Sequence, residues 1–235
     1  KAAAERGDAQ SMTALGEMYH KGEGIAFDKK AAVEWYEKAA GKGDVAGMYR
    51  LGKAYYDGVL TEKNNTRALE WFRKAAEKNS PAAVTMLGKM YYHGEGVAVN
   101  YPEAFRCFTR AANQDTDALA MLGEMYMTAK GVPRDDAKAT ECFEKVLQRA
   151  PGNQSAAFAL AGLYYRNGKL NDAGIYFRKS VQTVPMSNFF LGEMAFKQKK
   201  YDEAMEYFLA LEKAVPNNPG AAYCMGLIYD MPDYK

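Results

Sequence analysis

The sequence predicts an all-α protein, built as a right-handed α-solenoid of stacked antiparallel helix pairs. A Leu-Gly pair returns at Leu15, Leu51, Leu87 and Leu122, at intervals of 35 or 36 residues. An Ala with an aromatic residue four positions later returns with nearly the same period. Periods of about 20 to 50 residues are typical of repeat proteins, whose units bury their apolar faces against their neighbours.

The first helix of each predicted pair carries the Leu and, four residues later, a Tyr. Leu15 and Tyr19 are the first such pair, and residues spaced by four lie on one face of a helix. The Gly that follows each Leu has no side chain, so a neighbouring helix can approach closely there. That approach must offset the ~1 kcal/mol that Gly costs inside a helix.

The second helix of each pair combines a small residue with a large one. The small Ala leaves a gap, and the aromatic residue one turn later is expected to fill it. The Ala residues are Ala32, Ala68, Ala104, Ala139, Ala173 and Ala204, and the aromatics are Tyr36, Phe72, Phe108, Phe143, Phe177 and Phe208. Acidic residues such as Asp135 and Asp202 come at the predicted starts of second helices, where negative charge suits the helix dipole.

The turns between paired helices change along the chain. Gly22-Glu-Gly24 and Gly94-Glu-Gly96 place glycines where a helix must end and reverse. From Gly168 onward the turn is shorter and lacks the glycine pair. The sequence therefore predicts one type of repeat over residues 1–150 and a second type over residues 151–235.

The repeated pattern resembles a known family. Ala-x-x-Leu-Gly-x-x-Tyr, then Gly-x-Gly-Val, Asp and Ala-x-x-Trp-Tyr-x-Lys-Ala-Ala, is similar to the Sel1-like repeat. Residues 1–150 would hold a partial first unit and four such repeats. The units from Pro151 resemble tetratricopeptide repeats, with two units and a truncated third over 151–235. Lys1-Ala-Ala-Ala4 matches the end of a repeat, so the chain is expected to begin inside a longer solenoid.

Charge, apolar runs and motifs point away from several classes of function. The net charge of +2 is spread without a basic stripe, so we expect no nucleic-acid partner. No apolar run approaches the ~20 residues of a membrane span. Neither His20 nor His93 has metal-ligand spacing, and both are expected at solvated helix ends. The sequence thus predicts no enzyme, no catalytic residue, no metal and no cofactor.

The three cysteines, Cys107, Cys142 and Cys224, show no paired spacing and predict neither a disulfide framework nor a zinc site. Cys107 and Cys142 occupy the position of Trp35 and Trp71 in earlier repeats and are expected to be small buried apolar residues. Asn64 and Asn153 each begin a glycosylation sequon, whose use depends on an unknown compartment. The family resemblance slightly favours a bacterial periplasm or envelope over the cytoplasm or the endoplasmic reticulum.

The resemblance also implies where a ligand would bind. Tetratricopeptide arrays contact ligands from first-helix positions two before, two after and five after the motif Leu. Transferred by position, the candidate partner-binding residues are Tyr49, Lys53, Tyr56, Lys89, Tyr92, Phe158, Tyr165, Phe189 and Phe196. Aromatic residues with a polar group are enriched at binding hot spots. The alternative is that these rings pack between adjacent repeats. Arrays that clamp a partner's C-terminal carboxylate carry Lys, Arg and Asn at these positions. Here only Lys53 and Lys89 fit that pattern, so such a clamp is not expected.

These observations predict a scaffold or adaptor that binds another protein. The expected ligand is an extended peptide or a helix laid in the concave groove lined by the first helices. Two alternatives stay open: an inhibitor or immunity-type protein that caps a partner enzyme, and the regulatory repeat region of a larger protein. Carbohydrate binding has only the tyrosines in its favour.

Overall fold

The computed structural model describes residues 1–231, and the regular secondary structure within that range is entirely helical. The helices are α1 (Ala2–Glu5), α2 (Ala9–Lys21), α3 (Lys29–Gly41), α4 (Val45–Asp57), α5 (Asn65–Glu77), α6 (Pro81–His93), α7 (Tyr101–Ala111), α8 (Thr116–Thr128), α9 (Asp136–Arg149), α10 (Gln154–Arg166), α11 (Leu170–Ser180), α12 (Met186–Lys197), α13 (Tyr201–Ala214) and α14 (Pro219–Tyr229). The predicted fold class, an α-solenoid of helix pairs, is confirmed.

The helices form two compact units. Unit 1 comprises α1 to α8 and ends at Arg134, and unit 2 begins at Asp135 with α9. Within each unit, every helix packs against the next one along the chain. The division between Arg134 and Asp135 reflects how densely the helices pack and does not report the type of repeat. The predicted change of repeat type after residue 150 therefore stays a prediction. The last four residues of the predicted second segment lie outside the described residues.

Short polar side chains fix where the helices of unit 1 begin. Asp44 caps α4 by accepting a hydrogen bond from the backbone N–H of Gly47 at 2.7 Å, and Asn64 caps α5 in the same way. Such caps satisfy backbone donors that have no partner inside the helix. The predicted role of Asp135 is also confirmed, because its carboxylate caps α9.

Glycine ends the first helices α2, α4 and α6 as the turns predict, whereas α8 ends at Ala129 with φ of 57°. Gly94 follows α6 with φ of 74°, and its N–H donates to the carbonyl of Met90. This left-handed conformation favours residues without a Cβ. The chain can therefore reverse at once and begin the second helix of the pair.

In several helix pairs, an aromatic ring of the second helix packs directly against a glycine of the first helix. Phe72 of α5 is fully buried, and a Cβ built on Gly52 of α4 would lie 2.8 Å from its ring. The same contact joins Phe108 to Gly88 at 2.6 Å. No side chain larger than hydrogen fits at such a distance, so the predicted close approach at these glycines is confirmed.

Candidate partner-binding site

The first helices of unit 1 pack beside one another, α2 against α4 and α6 against α8. We call the surface formed by the predicted ligand positions of α2, α4, α6 and α8 the first-helix face. On α4, Tyr49, Lys53 and Tyr56 are half-buried, so part of each side chain reaches this surface. On α6, Lys89 is half-buried, whereas Tyr92 is only 5% exposed.

The tyrosine hydroxyls of this face join neighbouring repeats. Tyr56 donates to Glu95 at 2.6 Å, and Tyr92 donates to Glu124 at 2.6 Å. Burial, assisted by the carboxylate, raises the pKa of each phenol above its usual value. Lys130 donates to the Tyr92 oxygen at 2.9 Å, which leaves this hydroxyl enclosed by the chain itself. The hydroxyls thus contribute to the packing between repeats.

The two candidate lysines already face carboxylates of this chain. Lys53 lies 2.7 Å from Asp57 on its own helix, and Lys89 lies 2.8 Å from Asp117 on α8. A partner's terminal carboxylate would have to displace these partly exposed ion pairs.

The candidate residues of unit 2 surround an aromatic cluster. The Phe158 ring lies 5.8 Å from that of Phe177, and the Phe189 ring lies 6.2 Å from that of Phe208. Phe196 contacts Tyr201 at 5.7 Å between ring centres. All three predicted phenylalanines stay half-buried. Their rings therefore pack between helices and keep only an edge for a ligand.

Tyr165 repeats the polar arrangement of unit 1. Its hydroxyl donates to Glu193 at 2.8 Å and accepts from Lys197 at 2.8 Å. Burial is the largest cause of its raised pKa. Binding of a partner by any of the nine predicted residues stays a prediction.

A small pocket lies between α2 and α4, and the ligand positions transferred from the family did not predict it. It has a volume of about 80 Å³. Its walls are His20, Tyr36, Arg50, Lys53, Ala54, Asp57, Val59 and Leu60. We call it the His20 pocket. His93 is exposed as expected, but His20 is half-buried, because it forms part of this pocket.

A buried hydroxyl lies at the floor of the His20 pocket. The Tyr36 oxygen lies 3.5 Å from Nδ1 of His20, and burial raises the pKa of Tyr36 to about 12. The sequence holds a signal for this site, since the five equivalent positions in the other repeats carry Phe. A hydroxyl at that one buried position indicates a nearby hydrogen-bond partner.

The charges around the pocket balance one another. Arg50 lies 2.6 Å from Glu17, and Lys53 pairs with Asp57. Val59 is 56% exposed and provides an apolar wall at the mouth. The pocket is therefore suited to one uncharged side chain with an apolar stem, since a charged one would meet paired ions of both signs.

Thr13 and Thr85 also join repeats in a way that the sequence reading missed. Thr13 donates to Asp44 at 2.6 Å, and Thr85 donates to Asp115 at 2.9 Å. Each acceptor is the cap of the next first helix in unit 1. The pairing of Thr with a cap Asp in the next repeat is the signal that could have identified them.

Within residues 1–231, no three His, Cys, Asp or Glu side chains are grouped so as to hold a metal ion. Cys142 is buried and Cys107 half-buried, and burial raises the pKa of both thiols to about 11. In the same range, no helix combines the length and apolar character that spanning a bilayer requires.

Comparison with known proteins identifies the repeats. The Sel1 repeat model matches residues 9–44, 45–80, 81–115 and 116–145. A model for subunit 3 of the anaphase-promoting complex, or cyclosome, matches residues 134–211. No curated protein matches the chain.

Solved structures share the fold. A protective antigen present in uropathogenic Escherichia coli strains, with an SLR fold, is 28% identical with a TM-score of 0.86. The match covers 97% of this chain and 50% of the antigen, so the chain spans about half of that relative. A Sel1 repeat protein from Oxalobacter formigenes is 28% identical over 88% of this chain and 89% of its own, with a TM-score of 0.73.

PilF of Pseudomonas aeruginosa is 19% identical and shows the fold alone, with a TM-score of 0.72 over 96% of this chain and 99% of PilF. Repeats of the Sel1 and tetratricopeptide types generally serve as scaffolds for protein–protein interaction and are typically not enzymes. Because the four Sel1 matches run without a gap over residues 9–145, more than half of the 235 residues, the chain belongs to the Sel1 repeat family.

Proposed function

We propose that this protein is a scaffold whose unit 1 binds a segment of a partner protein along the first-helix face. The observation that carries the proposal is the His20 pocket, which two successive repeats build beside the half-buried Tyr49, Lys53 and Tyr56. A pocket next to partly exposed aromatic residues is the usual site of an interface anchor.

The partner segment would place one uncharged side chain in the His20 pocket. The pocket is small, with a volume of about 80 Å³, so we expect it to take a compact side chain. The neighbouring backbone of the segment would lie over α4, where Tyr49 and Tyr56 offer ring edges at little entropic cost.

The test uses two valines that occupy comparable turns. Val59 lines the pocket and is 56% exposed, while Val99 lies in the turn after α6 and is 52% exposed. Val59→Asp would add a second carboxylate beside Asp57 at the pocket mouth. Val99→Asp makes the same chemical change away from the pocket. Because both side chains are exposed, neither change should unfold unit 1.

The measurement is quantitative mass spectrometry of proteins retained from source-cell lysate by the parent and by each variant. We expect a partner that the parent and Val99→Asp retain equally and that Val59→Asp retains at least about tenfold less. Circular dichroism would verify that both variants keep their helices. Equal retention by all three proteins would contradict binding at the first-helix face of unit 1.

A further inference from the structure

A second groove lies between α2 and α4, beside the His20 pocket. Its volume is about 310 Å³, against about 80 Å³ for the His20 pocket. Its walls are Gln10, Thr13, Ala14, Glu17, Asp44 and Ala46. We call it the Asp44 groove. The ion pair between Glu17 and Arg50 stands between the two sites, because Glu17 lines the groove and Arg50 lines the pocket.

The Asp44 groove is open to solvent. Ala14 on α2 and Ala46 on α4 are exposed, as is Gln10. The groove lies between two complete helix pairs, α2 with α3 and α4 with α5. A further repeat stacked in the same way would pack against α2 from the side away from α4 and would leave the groove open.

One oxygen of the Asp44 carboxylate is free to accept a hydrogen bond. The N–H of Gly47 donates at 2.7 Å and the hydroxyl of Thr13 at 2.6 Å, and both bonds reach Oδ2. Within residues 1–231, no group donates to Oδ1, no cation pairs with this carboxylate, and Oδ1 is not buried. Only uncharged donors therefore meet the negative charge of Asp44.

The equivalent carboxylate in α8 has no such free oxygen. Asp115 also caps its helix and also accepts from a Thr in the preceding first helix of unit 1. Its Oδ1 accepts from the N–H groups of Asp117 and Ala118 at 2.8 and 3.2 Å, and its Oδ2 accepts from Thr85 at 2.9 Å. The two sites share one local pattern, but only Asp44 keeps an acceptor available to a ligand.

The charges of the groove favour a cation. Glu17 is neutralised by Arg50, which lies 2.6 Å away, so Asp44 supplies the unbalanced charge among the groove's walls. The exposed amide of Gln10 adds an oxygen that can also accept. A cationic donor meets such a carboxylate best, because charge-assisted hydrogen bonds are about twice as strong as neutral ones.

We propose that the Asp44 groove binds a Lys or Arg side chain of the partner segment. This inference rests on the proposed function, since it gives a second anchor to the segment whose uncharged side chain enters the His20 pocket.

The two anchors have a defined spacing. Thr13 and His20 are seven residues apart on α2, which corresponds to about 10 Å along the helix axis. Three residues of a polyproline II segment span about 9 Å and bring the side chain back to the same face. An extended partner segment would therefore carry its cation three residues from the small uncharged side chain.

Two substitutions of equal shape provide the matched comparison. Asp44→Asn removes the charge, while its amide oxygen can still accept from Gly47 and Thr13, because both bonds reach a single oxygen in the parent. Asparagine also caps helices as well as aspartate does. Asp115→Asn makes the same change in α8, outside the walls of the groove. Circular dichroism would verify that both variants keep their helices.

The probe is a phage-displayed library of short random peptides, selected for binding to the full 235-residue chain. Selected peptides would be synthesised with a fluorescein label, and their affinities for the parent and the variants would be measured by fluorescence anisotropy. We expect peptides that share a Lys or Arg three residues from a small uncharged residue. These should bind Asp44→Asn at least about tenfold more weakly than the parent and Asp115→Asn equally.

The same peptides distinguish this inference from the proposed function, because Val59→Asp reports on the His20 pocket alone. Peptides that Val59→Asp weakens, but that share no cation and bind Asp44→Asn as well as the parent, would overturn the inference and leave the proposed function standing. Equal weakening by Asp44→Asn and Asp115→Asn would also overturn it. If neither Val59→Asp nor Asp44→Asn weakened any selected peptide, both proposals would fail.

Discussion

Units 1 and 2 both join successive repeats through tyrosine hydroxyls, and unit 2 adds a cluster of aromatic rings to these links. In unit 1, hydrogen bonds such as Tyr56 to Glu95 and Thr13 to Asp44 link one repeat to the next. In unit 2, Tyr165 donates to Glu193 in the same way, and stacked rings reinforce the link, since Phe177 and Phe190 lie 4.8 Å apart with 3° between their planes. A repeat can therefore keep its internal core while the link to its neighbour is polar or aromatic.

The two units also differ in the side-chain caps at the N-termini of their helices. All the described helices from α2 to α8 begin at a residue whose side chain accepts a backbone hydrogen bond. In unit 2, α11, α12 and α13 begin without such a bond among the described residues. The stability of unit 2 should consequently depend more on its rings, and that of unit 1 more on its short polar side chains.

The largest effect is expected from Phe177→Ala in unit 2. Phe177 is fully buried and contacts Phe158, Tyr165 and Phe190. Removing a buried phenylalanine ring costs about 3–5 kcal/mol. Urea unfolding followed by circular dichroism would measure this loss. A loss below about 1 kcal/mol would mean that the aromatic cluster does not hold unit 2 together.

A smaller effect is expected from Asp44→Ala in unit 1. Asp44 both caps α4 and accepts from Thr13, whereas Asp28 caps α3 through Ala31. We expect Asp44→Ala to cost about 2 kcal/mol and Asp28→Ala about 1 kcal/mol. Both tryptophans, Trp35 and Trp71, lie in unit 1, so their fluorescence reports its unfolding. Equal losses in the free energy of unfolding would show that the hydrogen bond from Thr13 to Asp44 does not stabilise unit 1.

Tyr56→Phe isolates one link between repeats. It removes the hydroxyl that donates to Glu95 at 2.6 Å and keeps the ring. Because Glu95 is half-buried and water can reach it, we expect a loss of about 1 kcal/mol in the free energy of unfolding. Tryptophan fluorescence in urea would measure it. No change in stability would indicate that this bond only replaces one to water.

A further effect is a dependence of the free energy of unfolding on alkaline pH. The pKa of Tyr36 is raised to about 12, while an unfolded tyrosine titrates near about 10. The folded state therefore holds the proton more tightly, and its extra stability is complete below about pH 10 and declines as the pH rises toward 12. We expect Tyr36→Phe to lessen the decline in urea midpoint between about pH 9 and about pH 11. An identical decline in the variant would show that ionisation of Tyr36 does not cause the loss of stability.

The repeats and their glycine seats could be predicted from sequence because they are local and periodic. Leu51, Gly52 and Phe72 belong to one pair, and each has an equivalent in the next. The tyrosine–carboxylate links could not, because Tyr92 and Glu124 are 32 residues apart and many other carboxylates lie at similar spacings. The His20 pocket depends on one departure from the pattern, the hydroxyl of Tyr36.

Hydrogen–deuterium exchange of the chain with and without a partner retained in the Val59 experiment would test the central claim most directly. Binding along the first-helix face predicts slower exchange in α2, in α4 and in the turn at residues 58–60. Protection confined to the second helices α3 and α5, or to unit 2, would contradict the proposal that unit 1 holds its partner on the first-helix face.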